Sequence, residues 1–166
     1  MKKLLYYLIV PGWLHVSLTV GLIDLSNPEH IMRLINKIIV HCTDSNHPDH
    51  GLEEVRSWHK ARQFDDIGYN YFITKMRIEV GRTVHRVPAS VRGHNTGSIA
   101  IALMGKDNFT HYQFMLLKML IKILQDTYNL TDADVYNHYD FNKRKTCPNF
   151  NVREILKRWL RFIWVH

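Results

Sequence analysis

Three side chains of this sequence could together hold a metal ion. His138 and Cys147 lie in the segment HYDFNKRKTCPNF, and His41 lies far upstream in the segment IIVHCT. Imidazole nitrogen and thiolate sulfur are preferred ligands of zinc, and three protein ligands with water in the fourth position are typical of catalytic zinc. The residue types therefore predict a zinc ion held by His41, His138 and Cys147, and a hydrolytic reaction.

The two cysteines could form one disulfide, ligate a metal or pack as inert thiols. Cys42 directly follows His41, and successive side chains of a β-strand point to opposite faces. We therefore assign His41 to the zinc and interpret Cys42 as a small buried residue on the other face. A disulfide between Cys42 and Cys147 is the competing interpretation.

The elements that must position these ligands can be predicted from the hydrophobic spacing. Residues 37–43 are predicted to form a strand with apolar side chains on both faces, which is typical of a central strand covered on both sides. Further strands are predicted at 69–74 and 98–104, and helices at 52–62, 114–128 and 155–163. Thr110 with Gln113 forms a capping box before the second helix, and Asn151 with Glu154 resembles one before the third. Because strands and helices alternate, we expect an α/β sheet flanked by helices.

Length and charge limit the class of protein. At 166 residues the chain is long enough for one domain and too short for two ordinary ones. The formal net charge of +7 favours an anionic partner, which could be nucleic acid, an acidic membrane surface or an anionic wall polymer. Charge alone does not choose among these partners.

Residues 1–34 differ in composition from the rest of the chain. Two lysines precede an apolar run that a Pro-Gly pair interrupts. A basic start before an apolar run is typical of a signal peptide or anchor, whereas a spanning helix needs about 20 continuous apolar residues. A packed extension and a misplaced start codon are the alternatives. We treat residues 1–34 as an apolar extension, the only part where membrane contact is expected, and residues 35–166 as the catalytic domain.

Several segments resemble the zinc-dependent N-acetylmuramoyl-L-alanine amidases, a family that includes amidase-type phage lysozymes and peptidoglycan recognition proteins. In family order they are IIVHCTDS, VRSWHKARQFDDIGYNYFITK, VGR, RGHNTGSIAIALMG and NHYDFNKRKTCPNF. The resemblance covers roughly residues 35–163. It implies a single domain with a central mixed β-sheet flanked by helices. It also implies hydrolysis of the amide between N-acetylmuramic acid and L-alanine by a zinc-activated water.

The same resemblance implies that Tyr69 and Lys145 are catalytic. An ammonium beside a metal supplies positive charge where the oxyanion develops, and a tyrosine hydroxyl can donate or relay a proton. The sequence does not divide oxyanion stabilisation and protonation of the departing amine between the two residues. Asp140 follows His138 at i+2 and could either accept a hydrogen bond from its imidazole or support the loop. We favour the first interpretation.

Residues 92–95 and Ser98 are expected to form the wall of a groove, because the matching segment of the family lies along the substrate. Thr43 shares the predicted strand face of His41 and is expected to line the pocket. We therefore predict Thr43, Asn95 and Ser98 as substrate-binding residues.

The sequence departs from the family pattern at two positions. Ser90 stands where the family commonly has a histidine, and Asn70 follows Tyr69 where the family often has a histidine too. The first difference puts a substrate contact in doubt, although neither affects a predicted ligand. We interpret His59 as core packing rather than as a ligand, because it falls on the inner side of its helix.

These observations leave an enzyme and a binding module to compare. The first cleaves peptidoglycan as a monomer that binds the muramyl peptide, and the alternative recognises peptidoglycan without cleaving it. The complete ligand and catalytic set favours the enzyme. No nucleic-acid partner is expected, since a structural zinc site needs four ligands, often in Cys-x2-Cys pairs that are absent here. The protein would act on the bacterial cell wall, either exported or released as a phage-type lysin.

Overall fold

The computed structural model describes residues 33–47 and 50–157. The strands are β1 Lys37–Cys42, β2 Tyr71–Ile73, β3 Ile78–Val80, β4 Ser98–Leu103 and β5 Val135–Asn137. The helices are α1 Leu52–Ala61, α2 His111–Tyr128, α3 His138–Phe141 and α4 Val152–Lys157, with a short 3₁₀ turn at Asp132–Asp134. The predictions for residues 1–34 fall almost wholly outside the described residues and stay predictions.

The strands form one five-stranded mixed sheet in the order β3-β2-β4-β1-β5. β1 lies between β4 and β5 and is parallel to both. β2 is parallel to β4, and only the edge strand β3 is antiparallel to its neighbour. The predicted α/β class, a central mixed sheet flanked by helices, is therefore confirmed.

Both faces of the sheet are covered, which explains the apolar character of β1 on both sides. On one face Ile38 and Val40 belong to a cluster with Leu117 of α2. On the other face Val55 of α1 packs in a second cluster with Phe72 of β2. Ile39, whose side chain points to the second face of β1, is also fully buried. Full burial of one such side chain contributes about 1.5–3 kcal/mol, so burial on both faces holds β1 firmly in place.

The predicted capping box of α2 is confirmed in the structure, and that of α4 is found only in its Asn151 half. The Thr110 hydroxyl accepts a hydrogen bond from the Gln113 backbone N–H at 3.1 Å, and the Gln113 side chain accepts from the Thr110 N–H. α2 therefore begins at His111, one turn earlier than predicted. The Asn151 side chain accepts from the Arg153 N–H ahead of α4. The end of the predicted helix 155–163 lies outside the described residues.

The short elements β3, β5 and α3 were not predicted, because three or four residues are too few to show a period. β5 and α3 matter most for function, since the chain passes directly from one into the other at Asn137 and His138. Asn137 is buried, and its side-chain oxygen accepts a hydrogen bond from the Val152 N–H at 2.9 Å. In residues 33–47 and 50–157 no helix is long and apolar enough to cross a membrane.

Candidate metal centre

His41, His138 and Cys147 converge, as predicted. Each offers one ligand atom, and these atoms all lie within 4.8 Å of one another. The ring centroids of His41 and His138 are 4.7 Å apart, and Cys147 Sγ lies 3.9 Å from His41 Nδ1. Side chains that are distant in the sequence thus form one cluster with the donor set of a zinc site.

Parallel pairing of β1 and β5 brings the two histidines together. Val40 is opposite Asn137 in the register, so His41 near the end of β1 and His138 at the start of α3 are the next residues along the two neighbouring segments. The carboxyl ends of parallel strands meet at one edge of a sheet, where α/β proteins commonly bind ligands. The loop after α3 then returns, and the Cys147 carbonyl accepts a hydrogen bond from the Tyr139 N–H at 3.0 Å.

The surroundings of His41 fit a metal ligand. The residue is 1% exposed, and its Nε2 atom is buried without a hydrogen-bond partner. Burial, together with the nearby His138 and His59, holds the pKa of His41 well below its ordinary value. A neutral imidazole has one free lone pair, and the Nδ1 atom, which faces Cys147 Sγ, can use it to bind a cation.

The sulfur of Cys147 is held by the end of β1. The Cys42 backbone N–H donates a hydrogen bond to Cys147 Sγ at 3.3 Å. Contact with the Cys42 thiol and burial raise the pKa of the Cys147 thiol, an effect that a bound cation opposes by stabilising the thiolate. Both cysteines are free thiols, so the alternative of a disulfide is not found. Cys42 is buried, as predicted, but it lines the same pocket as His41 and its thiol contacts Cys147, so its predicted place on the face away from the site is not found.

A pocket of about 570 Å³ opens beside the three ligand atoms. Tyr69, Lys145, Thr43 and Ser90 are among the residues that line it. The Tyr69 ring centroid lies 5.2 Å from that of His41, and burial raises the pKa of the Tyr69 hydroxyl. Lys145 is exposed at the rim, and its charge adds to burial in lowering the pKa of His138.

Asn95 and Ser98 do not line this pocket. The Asn95 side-chain oxygen accepts from the backbone N–H groups of Ser90 and Val91, at 3.0 and 2.8 Å. Ser98 is fully buried, and its hydroxyl donates to the Asn95 carbonyl at 2.9 Å. These bonds fold the loop that presents Ser90, which argues against a direct substrate contact for either side chain.

Asp140 has a different role from the one that we favoured. β5 ends at Asn137, so His138 and Asp140 do not share a strand face. The Asp140 carboxylate instead accepts from the Asn137 N–H at 2.9 Å and forms an ion pair with Arg153. It caps α3 and thereby orients the first turn, which carries His138. The Asn-x-x-Asp pattern was a sequence signal for this cap.

His59 lies closer to the site than the sequence predicts. It is buried, as expected for core packing, and it also lines the pocket. Its Nδ1 atom accepts a hydrogen bond from the Gly68 backbone N–H at 2.7 Å. The i, i+4 spacing of Val55 and His59 predicts a buried helix face, but it does not reveal the long-range contact with Gly68.

Comparison with known proteins identifies the relatives of the chain. Residues 32–150 match the profile of the N-acetylmuramoyl-L-alanine amidase family. The endolysin of Klebsiella phage KP32 is 34% identical over 134 residues, which cover 75% of this chain and 84% of that protein. The endolysin of Escherichia phage T7 is 32% identical over 132 residues, 74% of this chain and 83% of that protein.

Solved structures show the same architecture. The amidase LysC of Clostridium intestinale has a TM-score of 0.68 and 30% identity, over 75% of this chain and 85% of that one. The Drosophila recognition protein PGRP-LB has a TM-score of 0.64 over 76% of this chain and 82% of that one. At 19% sequence identity, this similarity concerns the fold alone.

Proposed function

The chain belongs to the N-acetylmuramoyl-L-alanine amidase family and is a peptidoglycan amidase, and we propose that it works with a zinc ion held by His41, His138 and Cys147. The observation that carries the proposal is the convergence of two imidazoles and a thiol within 4.8 Å beside an open pocket. The approach of His41 Nδ1 to within 3.9 Å of Cys147 Sγ supports it. When bound in such a site, zinc lowers the pKa of a coordinated water to about 7 and so supplies the nucleophile for amide hydrolysis.

Tyr69 and Lys145 both line the pocket and would act on the attacked amide. Because burial raises the pKa of Tyr69, its hydroxyl keeps its proton at neutral pH and can donate to the oxygen of the attacked carbonyl. Lys145 adds positive charge at the rim, close enough to His138 to lower its pKa. Its ammonium can also give a proton to the departing amine.

Thr43 would contribute to substrate binding through its shape. It lines the pocket, but its hydroxyl accepts from the Gly105 N–H at 3.0 Å and donates to the Gly105 carbonyl at 3.2 Å. Its methyl group is therefore the part left for contact with a muramyl peptide. The net charge of +7 suits the stem-peptide carboxylates of the polymer.

The test is digestion of purified peptidoglycan, with separate assays for new L-alanine amino termini and new reducing sugar ends. We expect amino termini without reducing ends, loss of activity after zinc is chelated, and recovery when zinc is returned. Reducing ends without amino termini would refute the bond assignment. Full activity in protein shown by metal analysis to be zinc-free would refute the zinc proposal. Binding of the polymer without any product would favour the recognition module.

A further inference from the structure

We propose that His59 is a positioning residue for Tyr69, acting through its hydrogen bond to the backbone of Gly68. The inference rests on the catalytic role proposed for Tyr69 and adds the group that holds it. His59 is 5% exposed, and its Nδ1 atom accepts from the Gly68 N–H at 2.7 Å. Helix α1 is thereby joined to the residue that directly precedes Tyr69.

Apart from the packing of its ring, Tyr69 is positioned by its backbone, since its hydroxyl makes no hydrogen bond to the described part of the chain. On the downstream side, the Tyr69 carbonyl accepts from the Arg82 N–H at 2.9 Å. At Gly68 the carbonyl accepts from the Ala89 N–H, also at 2.9 Å. The third hydrogen bond is on the upstream side, where the Gly68 N–H donates to His59. Of these three bonds, it is the one whose partner is a side chain.

Ring contacts extend the same connection to the metal centre. The ring centroid of His59 lies 5.2 Å from that of Tyr69, which in turn lies 5.2 Å from that of His41. Tyr69 is thus held between the imidazole of α1 and a proposed zinc ligand. Because a displacement of about 1 Å in a catalytic group can cost about 100-fold in rate, a small change at His59 should reach the reaction.

The hydrogen bond also fixes the tautomer of His59. The Gly68 N–H can donate only to an unprotonated Nδ1 atom, so the ring proton lies on Nε2. Burial, with the charges of Arg62 and Arg82, lowers the pKa of His59 to about 4. The imidazole therefore stays neutral, and Nδ1 stays an acceptor, at neutral pH.

Two substitutions separate the acceptor from the ring. His59→Phe keeps an aromatic ring beside Tyr69 but removes the acceptor for Gly68. His59→Asn loses the ring but places an oxygen near the former Nδ1 position. With a soluble muramoyl peptide, we expect His59→Phe to lower kcat about 10- to 100-fold with KM within about twofold, and His59→Asn to stay within about fivefold of wild type.

A double-mutant cycle tests whether His59 acts through Tyr69. In a Tyr69→Phe background, we expect His59→Phe to lower kcat by less than about twofold further. Zinc content and circular dichroism should stay at wild-type values in all variants. An equal loss of kcat in both backgrounds would overturn the proposal, and so would a rise in KM with kcat unchanged. Wild-type kcat in Tyr69→Phe alone would instead refute the proposed role of Tyr69, a result that the cycle distinguishes.

If His59→Phe does not fold, wild-type protein still decides the question. Nitrogen chemical shifts of the His59 ring report which nitrogen carries the proton. An unprotonated Nδ1 atom between about pH 6 and 8 supports the hydrogen bond to Gly68. A protonated Nδ1 atom in that range would overturn the proposal.

Discussion

The backbone N–H of Cys42 donates a hydrogen bond to the sulfur of Cys147 across 3.3 Å. This bond joins the end of β1 to the loop that follows α3, and it holds the sulfur beside His41. A backbone N–H directed at sulfur stabilises the thiolate form, which is the form that binds a metal. In the proposed zinc site the neighbouring cysteines therefore have unequal roles, since Cys147 would contribute its sulfur whereas Cys42 contributes its backbone N–H.

Cys147→Ser should remove zinc, because a hydroxyl is a far weaker zinc ligand than a thiolate. We expect the zinc affinity to fall by at least about 100-fold, and amide hydrolysis to be lost with it. Metal analysis after dialysis against a weak chelator measures the change. Cys42→Ser is the matched control, since its backbone N–H remains, and it should retain one zinc per chain. Loss of zinc from both variants to the same extent would contradict the unequal roles.

Lys145→Ala should lower kcat without removing zinc. The side chain is exposed at the pocket rim and makes no hydrogen bond to the described residues, so its loss removes charge rather than structure. Removal of one group that stabilises a transition-state oxyanion typically costs about 100- to 1000-fold in kcat. Steady-state kinetics with zinc content measured alongside test this.

Two further variants, Lys143→Ala and Lys145→Arg, serve as controls for Lys145→Ala. Lys143→Ala removes a nearby exposed charge and should keep kcat within about twofold, since surface charges away from the site contribute little. Lys145→Arg keeps the charge but cannot readily release a proton. Substantial activity in Lys145→Arg would assign the proton transfer to Tyr69, whereas activity as low as in Lys145→Ala would assign it to Lys145.

The ligands could be predicted from the sequence because their residue types restrict the chemistry. Two-sided apolar character placed His41 on a central strand, and the donor set of His41, His138 and Cys147 suggested zinc before any distance was known. The register of β1 with β5 could not be predicted from the sequence, because β5 has only three residues and depends on tertiary pairing. The sequence also did not show that the strand ends and a helix begins at His138. The predicted hydrogen bond from His138 to Asp140 was therefore wrong.

The groove residues show the other limit of the sequence. Asn95 and Ser98 are short polar residues, which bond to nearby backbone as readily as to a ligand. Both form hydrogen bonds within the loop, which favours a structural role, and no spacing rule predicts these bonds. The contact of His59 could not be predicted for a different reason. Its partner Gly68 lies outside helix α1, and only tertiary packing brings the two residues together.

Acid should destabilise the fold partly through His59. Its pKa is about 4 in the folded protein and about 6.5 when unfolded, so the unfolded state takes up the proton first. The contribution of His59 to stability is therefore full above about pH 6.5 and is lost as the pH falls towards 4. We expect a loss of about 1–2 kcal/mol in this window, allowing for solvent screening.

Urea unfolding at about pH 7.5, 5.5 and 4.5 measures this loss, with His59→Asn as the control. Asn has no proton to gain, so the variant should lose less stability on acidification than wild type. The other titratable groups are the same in both proteins. The difference between their losses of unfolding free energy on acidification therefore reports the protonation of His59. Identical pH profiles would show that His59 carries the same proton in the folded and unfolded states.

Gly68→Ala should be among the most destabilising small substitutions in the domain. A Cβ atom at this position would lie 2.4 Å from the Ala89 carbonyl oxygen, a backbone atom that cannot turn aside. The Ala89 N–H also bonds to the Gly68 carbonyl, so the two segments would have to separate. We expect a loss above about 3 kcal/mol in the free energy of unfolding, since overpacking against backbone costs at the upper end of its usual range.

Gly93→Ala provides the comparison for this prediction. A Cβ atom there would meet nothing within 4 Å, but φ is +81°, so only backbone strain opposes the substitution. That strain costs about 1–2 kcal/mol for a residue with a Cβ atom. Urea unfolding of both variants should therefore rank Gly68→Ala well below Gly93→Ala in stability. A reversed order would mean that the segments carrying Gly68 and Ala89 can separate at little cost, and that Tyr69 is less firmly held than the hydrogen bonds around it indicate.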